Sequence, residues 1–311
     1  MTSAPPAVIA IDVGGTTIKG ALVDAAGVVR ATEIAPTPRP GAERTVLEVA
    51  SRLAAAAPGV GTNPVAVGIV SPGIVDPGGV VRIAVNLDWR DLPLAQLAED
   101  ALGLPAVVTH DVRGAGVGEL RCGAGIGVRD LAVVQLGTGI ASALVVHGEL
   151  VVGAGSAAGE VGHLPVIPGG ERCACGQEGC VEAYASGGAI ARRYAARTGR
   201  PATAEQIVGL LGGDADADAV WAEAITALGR GVLSIVALLD PALVVLGGGV
   251  AAAGDALLEP LRGSITGTLT WRECPPIVVS PLGAEAGRLG AAVLAFERAG
   301  IPVDAASWRR A

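Results

Sequence analysis

Three cysteines and a histidine with the chemistry of a metal site stand near the middle of the chain. His163 precedes Cys173, Cys175 and Cys180, and glycines between the last two cysteines allow the tight turns that bring thiolates together. Three thiolates and one imidazole complete a tetrahedral Zn²⁺ shell and leave no position open for water. We therefore predict a structural zinc. Free thiols and a redox pair are the alternatives, although the spacing lacks the Cys-x-x-Cys pattern of redox proteins.

Residues 12–20, DVGGTTIKG, form a glycine-rich turn after an apolar stretch. Paired glycines let backbone N–H groups face an anion, and Thr16 adds a hydroxyl donor. Asp12 points a carboxylate at the same space, which a triphosphate would repel unless Mg²⁺ lay between them, held through its water shell. An ordinary hairpin turn is the alternative. The residues predicted to bind the nucleotide here are Asp12, Gly14, Gly15, Thr16, Thr17 and Lys19.

Two further glycine turns follow apolar stretches. Residues 137–139 repeat the chemistry of the first turn, and residues 247–249 offer flat backbone to an adenine or ribose face. Each turn alone is weak evidence, since glycine clusters commonly form plain turns. Three of them, each after a buried strand, favour a nucleotide site. The predicted residues are Gly137, Thr138, Gly139, Gly247, Gly248 and Gly249.

Asp111 is the candidate general base. It follows a short apolar stretch and opens a glycine-containing helix, where unpaired backbone N–H groups hold a carboxylate ionised. Such a group can accept a proton from a sugar hydroxyl as that oxygen attacks a γ-phosphate. A plain helix N-cap is the alternative. Other polar residues in apolar surroundings could hydrogen-bond sugar hydroxyls, with surface solvation as the alternative for the glutamates. They are Asn86, Glu160, His163 and Glu182.

These residues need an α/β scaffold to position them. The apolar pattern predicts strands at 8–13, 18–23 and 28–34, a helix at 45–57, strands at 65–70 and 107–109, and a weak helix at 114–121. A second strand, Gly/Thr turn, strand unit begins at residue 131, with strands at 131–136, 140–146 and 149–152. This internal echo indicates two related domains with a cleft between them. The remainder is mostly helical, with strands at 243–246 and 277–280 and a closing helix at 289–298.

Composition excludes several classes of partner. The chain has 311 residues, half of them apolar, and a net charge of −8, which attracts neither DNA nor an anionic membrane. No basic, uninterrupted signal segment opens the sequence, and polar residues break the apolar run at 131–152. We therefore expect a cytoplasmic protein that binds small molecules, with no nucleic acid and no membrane partner.

The motifs resemble those of the ROK family (repressors, open reading frames and sugar kinases) over nearly the whole chain. Residues 12–16, DVGGT, look like the family's first phosphate motif. Residues 159–163, GEVGH, followed by the cysteine segment 173–182, CACGQEGCVE, look like its sugar-and-zinc signature. The second motif is highly specific in its order and spacing.

The resemblance implies an actin-like ATPase (ribonuclease H-like) fold of two domains around an interdomain cleft, commonly as a homodimer, with a tetramer as the alternative. We expect a small N-terminal α/β domain at 1–115, onto which a closing helix within 289–311 could pack. Residues 116–288 would form the larger C-terminal α/β domain, with the zinc loop and the nucleotide turns. By position, Asp111 would be the base, and Gly137 and Thr138 would face the ATP phosphates. The implied sugar contacts are Asn86, Glu160, His163 and Glu182, and the implied zinc ligands are His163, Cys173, Cys175 and Cys180.

One departure concerns the sugar. The family usually has Asn directly before the catalytic Asp, whereas this chain has His110, whose imidazole presents fewer and differently placed hydrogen-bonding atoms. We expect His110 to take part in sugar binding. The best single expectation is ATP-dependent phosphorylation of the 6-hydroxyl of glucose. Other sugars (fructose, mannose, allose or an N-acetylhexosamine), a non-catalytic sugar sensor, a family repressor and polyphosphate as donor remain as alternatives.

Overall fold

The computed structural model describes residues 4–310, which form two compact units. The first unit comprises residues 1–127, 152–157 and 285–311, and the second comprises residues 128–151 and 158–284. Residues 1–3 and 311 of the predicted domain ranges lie outside the described part of the chain.

Strands and helices follow one another in the order that the apolar pattern predicts, with several short elements added. The strands are β1 (Pro6–Val13), β2 (Thr17–Asp24), β3 (Val29–Pro36), β4 (Asn63–Ser71), β5 (Ile74–Val75), β6 (Val81–Ala84), β7 (Trp89–Leu92), β8 (Ala106–His110), β9 (Leu131–Leu136), β10 (Ile140–Val146), β11 (Glu149–Leu150), β12 (Leu243–Gly247) and β13 (Ile277–Val279). The helices are α1 (Ala42–Ala56), α2 (Leu94–Leu102), α3 (Asp111–Cys122), α4 (Glu182–Ala185), α5 (Gly187–Thr198), α6 (Ala204–Val208), α7 (Ala215–Leu239), α8 (Asp255–Thr266) and α9 (Ala286–Arg298).

The first unit is built on a five-stranded mixed sheet of order β3-β2-β1-β4-β8. The predicted antiparallel meander of β1, β2 and β3 is confirmed, and β4 and β8 join it in parallel to β1. β1 is apolar on both faces because helices cover both sides of the sheet. α1 packs over Gly20 of β2, and α9 packs over Gly68 of β4. A small antiparallel sheet, β5-β6-β7, completes this unit.

α3 and α9 pack so closely that only glycine fits between them. A Cβ on Gly290 would lie 1.8 Å from the Gly114 carbonyl oxygen, and one on Gly118 would lie 2.2 Å from that of Ala286. The helix that begins at Asp111 is therefore fixed by the closing helix of the chain. The domain boundary predicted after residue 115 falls inside α3, and the first unit instead runs on to Gly127, because α3 packs as one piece against α9.

The second unit repeats the architecture with a sheet of order β11-β10-β9-β12-β13. β9 and β10 form the predicted antiparallel pair, and β12 joins β9 in parallel. The predicted third strand at 149–152 is shorter, since pairing with β10 ends at Leu150. α7 is long and apolar enough to cross a membrane by length and composition, but half of its most apolar window is buried. That face packs into the core of this unit through residues such as Val220, Leu228 and Val236.

Candidate functional site

The four predicted zinc ligands lie together in the second unit. Their ligand atoms all lie within 4.8 Å of one another. The Sγ atoms of Cys175 and Cys180 are 3.7 Å apart, and Sγ of Cys173 is 3.8 Å from Nδ1 of His163. Zn–S bonds of about 2.3 Å in a tetrahedron place sulfurs about 3.8 Å apart. The donor set and its spacing therefore fit Zn²⁺.

Glycine backbone shapes the loop that carries these thiols. Gly176 and Gly179 have φ of 94° and 75°, a region that side chains other than glycine rarely adopt. A Cβ on Gly179 would also lie 1.8 Å from the carbonyl oxygen of Ile167. The Cys173 N–H donates to the Gln177 carbonyl at 2.8 Å, which closes the loop on itself. The tight turns and the close packing against Ile167 together bring the thiols near one another.

Asp111 begins α3 in the first unit, and its carboxylate is already engaged by two donors. Oδ1 accepts the Val112 N–H at 2.7 Å and lies 3.0 Å from Nε2 of His110. Because a carboxylate only accepts, His110 must carry its proton on Nε2. Desolvation raises the pKa of Asp111, but the hydrogen bond and charge of His110 and the Val112 N–H outweigh it, so the pKa falls below its usual value. Asp111 is therefore held as a carboxylate, with its side chain 39% exposed.

Asp12 lies on the same sheet edge as Asp111. In the parallel register, Asp12 stands beside Val70 of β4, and Val70 stands beside Thr109 of β8. Two strand spacings, or about 10 Å of backbone, separate Asp12 from Thr109, and Asp111 follows two residues later at the start of α3. Burial raises the pKa of Asp12 to about 6, and the charge of Asp111 adds to the rise. A cation bound near Asp12 and Asp111 would offset the repulsion between the two carboxylates and favour the ionised form of Asp12.

Two basic side chains also face Asp12. Lys19 is its cross-strand partner on β2, and Arg288 lies in the first turn of α9. Both lower the pKa of Asp12, although burial outweighs them. Burial in turn lowers the pKa of Arg288, against the effect of Asp12. The site thus carries positive charge suited to phosphates as well as a carboxylate suited to a metal.

The first glycine turn joins β1 to β2 and is braced by hydrogen bonds. The Gly14 N–H donates to the Thr17 carbonyl at 3.0 Å, so this amide is used within the turn and does not face an anion. The Thr37 hydroxyl donates to the Gly14 carbonyl at 2.8 Å, and Arg39 donates to the Gly15 carbonyl at 3.1 Å. Thr16 is exposed at the tip. Anion contacts predicted for this turn would therefore come from its tip rather than from Gly14.

The second glycine turn joins β9 to β10 and is held by Glu182. The Gly137 N–H donates to the Gly139 carbonyl at 3.0 Å, and Thr138 is exposed. Oε2 of Glu182 accepts the Ile140 N–H at 2.8 Å. Glu182, predicted as a sugar contact, thus also binds the backbone of a predicted nucleotide turn.

The third glycine turn lies beside the second. Gly247 stands opposite Gln135 in the β9–β12 register, so both turns leave the same edge of the sheet. A Cβ on Gly247 would lie 2.4 Å from the Gln135 amide nitrogen, and Gly248 has φ of 83° and lies close to Leu136. Gly249 has open space around it. The sheet therefore brings these two predicted nucleotide turns together.

The loop that carries Glu160 and His163 packs against β10. A Cβ on Gly159 would lie 1.9 Å from the Ser142 carbonyl oxygen, and one on Gly162 would lie 2.1 Å from that of Ile140. The Ser142 N–H donates to the Gly159 carbonyl at 2.7 Å. Gly159 and Gly162 are therefore needed because the backbone of this loop lies directly against the backbone of β10. This contact holds Glu160 beside β10.

Comparison with known proteins identifies the family. The sequence model of the ROK family matches residues 8–298. The chain belongs to the ROK family. It is 35% identical to a glucokinase of Streptomyces coelicolor over 93% of this chain and 97% of that one. It is 32% identical to an N-acetylmannosamine kinase of Escherichia coli over 92% and 97% of the two chains.

A solved structure gives the same assignment. The ROK family glucokinase of Streptomyces griseus, in complex with glucose and AMPPNP, matches with a TM-score of 0.80 and 33% identity over 94% of this chain and 99% of that one. This ROK chain therefore has the actin-like ATPase fold, and each of its two units contains a five-stranded mixed sheet.

The predicted sugar contacts of this ROK chain are divided between its two units. Asn86 lies exposed in the turn between β6 and β7 of the first unit, which also holds His110 and Asp111. Glu160, His163 and Glu182 belong to the second unit. His163 also belongs to the predicted zinc cluster, where its Nδ1 lies 3.8 Å from Sγ of Cys173, so the predicted sugar contact would have to use Nε2.

Sequence reasoning about this ROK chain missed three arginines. Arg288 faces Asp12, and Arg39 braces the first glycine turn. Arg113 is 4% exposed and donates to the carbonyls of Val75 and Ser156 at 3.1 and 2.7 Å, which ties the catalytic helix to its surroundings. Only Arg113 gives a sequence signal, as the one charged residue within the small, apolar stretch 112–118.

Proposed function

We propose that this ROK protein is an ATP-dependent hexose kinase that phosphorylates the 6-hydroxyl, with glucose as its preferred sugar. The relatives and the glucose-bound neighbour support a sugar kinase. The observation that carries the proposal is the ionised Asp111 carboxylate at the start of α3, held by His110 and the Val112 N–H.

Asp111 is the general base in this proposal. Both donors hold Oδ1, and we assign the proton transfer to Oδ2. That oxygen accepts the proton of the sugar 6-hydroxyl as the hydroxyl oxygen attacks the γ-phosphate of ATP and ADP leaves. The lowered pKa of Asp111 keeps the base unprotonated at neutral pH, at some cost in basicity.

The metals and the nucleotide complete the proposal. Asp12 would hold Mg²⁺ through water, and Mg²⁺ would neutralise charge on the β- and γ-phosphates. The cysteine cluster would hold Zn²⁺ as a closed structural site. The turns at 137–139 and 247–249 would bind ATP, and the side chains of Asn86, Glu160, His163 and Glu182 would bind the sugar. The homodimer that the resemblance implies and the cytoplasmic location expected from the sequence remain part of the proposal.

A sugar panel with Asp111→Asn tests the proposed function. Coupled ADP release is measured with glucose, fructose, mannose, allose, N-acetylglucosamine and N-acetylmannosamine. The last sugar is included because of the Escherichia coli relative. We expect glucose to give the highest kcat/KM, and Asp111→Asn to lower kcat by about 10²–10⁴, the usual contribution of a general base.

Asp100→Asn is the matched control, since Asp100 is an exposed aspartate of the same unit. It should retain full activity. Sugar binding without ADP release from any hexose would support a sensor and contradict a kinase. Turnover by Asp111→Asn at the wild-type rate would contradict the assignment of the base.

A further inference from the structure

Glu182 lies against the backbone of the turn between β9 and β10. It is the first residue of α4, two positions after the zinc ligand Cys180, and its side chain is partly buried. Its Oε2 accepts the Ile140 N–H at 2.8 Å. A Cβ on Gly139 would lie 2.8 Å from the same oxygen, so the carboxylate occupies the space that a side chain there would need.

The same part of the chain holds the other end of the turn. The Gly187 N–H, at the start of α5, donates to the Gly137 carbonyl at 3.0 Å. Ser186, between the two helices, caps α5 by accepting the Ala189 N–H. The α4–α5 junction therefore holds the turn at both ends, through Glu182 at one and Gly187 at the other. All of these residues belong to the second unit.

We propose that Glu182 is a positioning residue for the nucleotide turn at 137–139 and couples sugar binding to nucleotide binding. Oε2 fixes the turn through Ile140, and Oε1 binds a sugar hydroxyl. The proposal rests on the proposed function, because it takes the turn as a phosphate site and Glu182 as a sugar contact.

The coupling follows from one side chain that serves two ligands. A sugar that binds Oε1 immobilises the carboxylate. The hydrogen bond that Oε2 accepts from the Ile140 N–H then holds the turn in place before the nucleotide binds. By linkage, a nucleotide that orders the turn must strengthen sugar binding by the same factor. The carboxylate also keeps its bond to Ile140 without sugar, so its loss should weaken nucleotide binding even when no sugar is present.

Titration calorimetry with AMPPNP and Mg²⁺, in the absence of sugar, tests the proposal. A hydrogen bond to a charged group is strong enough that Glu182→Ala should weaken AMPPNP binding about tenfold. Glu182→Asp keeps the charge but withdraws the oxygen by one methylene, and should weaken binding similarly. Glu182→Gln keeps an acceptor oxygen at full length but loses the charge, and should weaken AMPPNP binding less than Glu182→Ala does.

Glu160→Ala is the matched control. Glu160 is the other predicted sugar-contact carboxylate of this unit, so its loss should weaken sugar binding and leave sugar-free AMPPNP binding unchanged. Saturation with the best sugar of the panel should tighten AMPPNP binding in wild type, and less so in Glu182→Ala. Zinc content equal to that of wild type shows that each variant has folded.

The outcomes separate this inference from the proposed function. Wild-type protein that neither binds AMPPNP nor phosphorylates a hexose overturns the proposed function. If wild type is an active kinase and Glu182→Ala and Glu182→Asp bind sugar-free AMPPNP like wild type, Glu182 is a sugar ligand only and the inference is wrong. The inference is equally wrong if Glu182→Gln weakens binding while Glu182→Asp does not, because charge would then matter and the hydrogen bond would not.

Discussion

At the scale of single residues, His110 lowers the pKa of the adjacent Asp111 carboxyl, an effect that its place in the sequence did not predict. The expectation was a sugar contact in place of the family's asparagine. In the structure its Nε2 lies 3.0 Å from the Asp111 carboxylate, and the imidazole is only 12% exposed. One ring nitrogen is therefore committed to the base, and only Nδ1 is left for any sugar hydroxyl. His110 can thus act on both the base and the sugar preference.

His110→Asn tests this double role. The shorter amide should remove the partner of Oδ1 and present different donors to the sugar. We expect the ratio of kcat/KM between glucose and its best competitor to change by about tenfold or more, as when a polar site group is altered. Coupled ADP release across the panel measures it.

His147→Asn is the control, because His147 is 81% exposed and has φ of 55°, which asparagine tolerates. It should leave the sugar profile of wild type in place. An unchanged profile in His110→Asn would make the histidine incidental to sugar choice.

Asp12 should destabilise the folded chain at neutral pH when no metal is bound. Its pKa is raised to about 6 by burial and by Asp111, so folding favours the protonated form. The stability that protonated Asp12 contributes is present below about pH 4 and is lost as pH rises through about 6. We expect Asp12→Asn to raise the free energy of unfolding by roughly 2 kcal/mol at pH 8 and by almost nothing at pH 4.

Thermal unfolding of both proteins at the two pH values, in buffer without divalent cations, measures this effect. Asp100→Asn should match wild type at both. Equal melting temperatures of wild type and Asp12→Asn at pH 8 would contradict the argument, whatever the variant does to activity.

At the scale of elements, glycines decide how α3, the helix that begins at Asp111, is placed. α3 and α9 touch backbone to backbone at Gly290 and Gly114, and α9 also covers β4 at Gly68. Asp111 at the start of α3 and Arg288 in α9 are therefore positioned by the same contact. A small change in the distance between α3 and α9 should therefore displace Asp111 relative to Arg288, and displacements of about 1 Å can greatly reduce a catalytic rate.

Gly290→Ala should separate the two helices. Its Cβ would lie 1.8 Å from the Gly114 carbonyl oxygen, which no rotamer can relieve. We expect a loss of about 3 kcal/mol of stability from overpacking, together with a lower kcat. Denaturant unfolding and the kinase assay measure both.

Gly263→Ala on α8 is the matched helix control, with open space where its Cβ would lie. It should stabilise the chain by about 0.5–1 kcal/mol, because alanine is the better helix former. If Gly290→Ala is as stable as wild type, the close approach of α3 and α9 does not hold in solution.

At the scale of the whole molecule, the zinc cluster would cross-link a loop that backbone hydrogen bonds already hold, such as those from the Val166 and Ile167 N–H groups to the Gly179 carbonyl. The loop from His163 to Cys180 leads directly into Glu182, α4 and α5, which hold the turn at 137–139. A metal that fixes four side chains there would stabilise the second unit as a body, since binding free energy of a structural metal adds to folding.

Removing the metal should therefore lower the melting temperature as well as activity. We expect one zinc per chain in wild type by elemental analysis, and almost none in Cys180→Ser. Chelator treatment of wild type should lower its melting temperature toward that of Cys180→Ser. Cys274→Ser is the control, since Cys274 lies outside the cluster and is partly buried. A melting temperature indifferent to chelation would contradict a structural role for the metal.

The sequence by itself determined the local features of this protein. The strands of both sheets, the glycine turns after them and the gathering of four zinc-type ligands follow from patterns a few residues long, such as apolar runs ended by glycine. The echo between the two halves predicted two related domains, and each of the two units contains a five-stranded sheet with a strand, glycine turn, strand unit. These features need no knowledge of distant contacts, because backbone propensity and burial within each segment decide them.

Only the tertiary structure decided which distant side chains meet. The charge of Arg288 acts on Asp12 because α9 begins beside it, where a Cβ on Gly287 would lie 3.7 Å from Oδ2 of Asp12. The carboxylate of Glu182 accepts the N–H of Ile140, 42 positions away in the chain. The extent of the first unit to Gly127 depends on the same kind of contact, since the packing of α3 against α9 was not visible in the local pattern. Such contacts depend on how whole elements pack, and a single sequence carries no local signal for that.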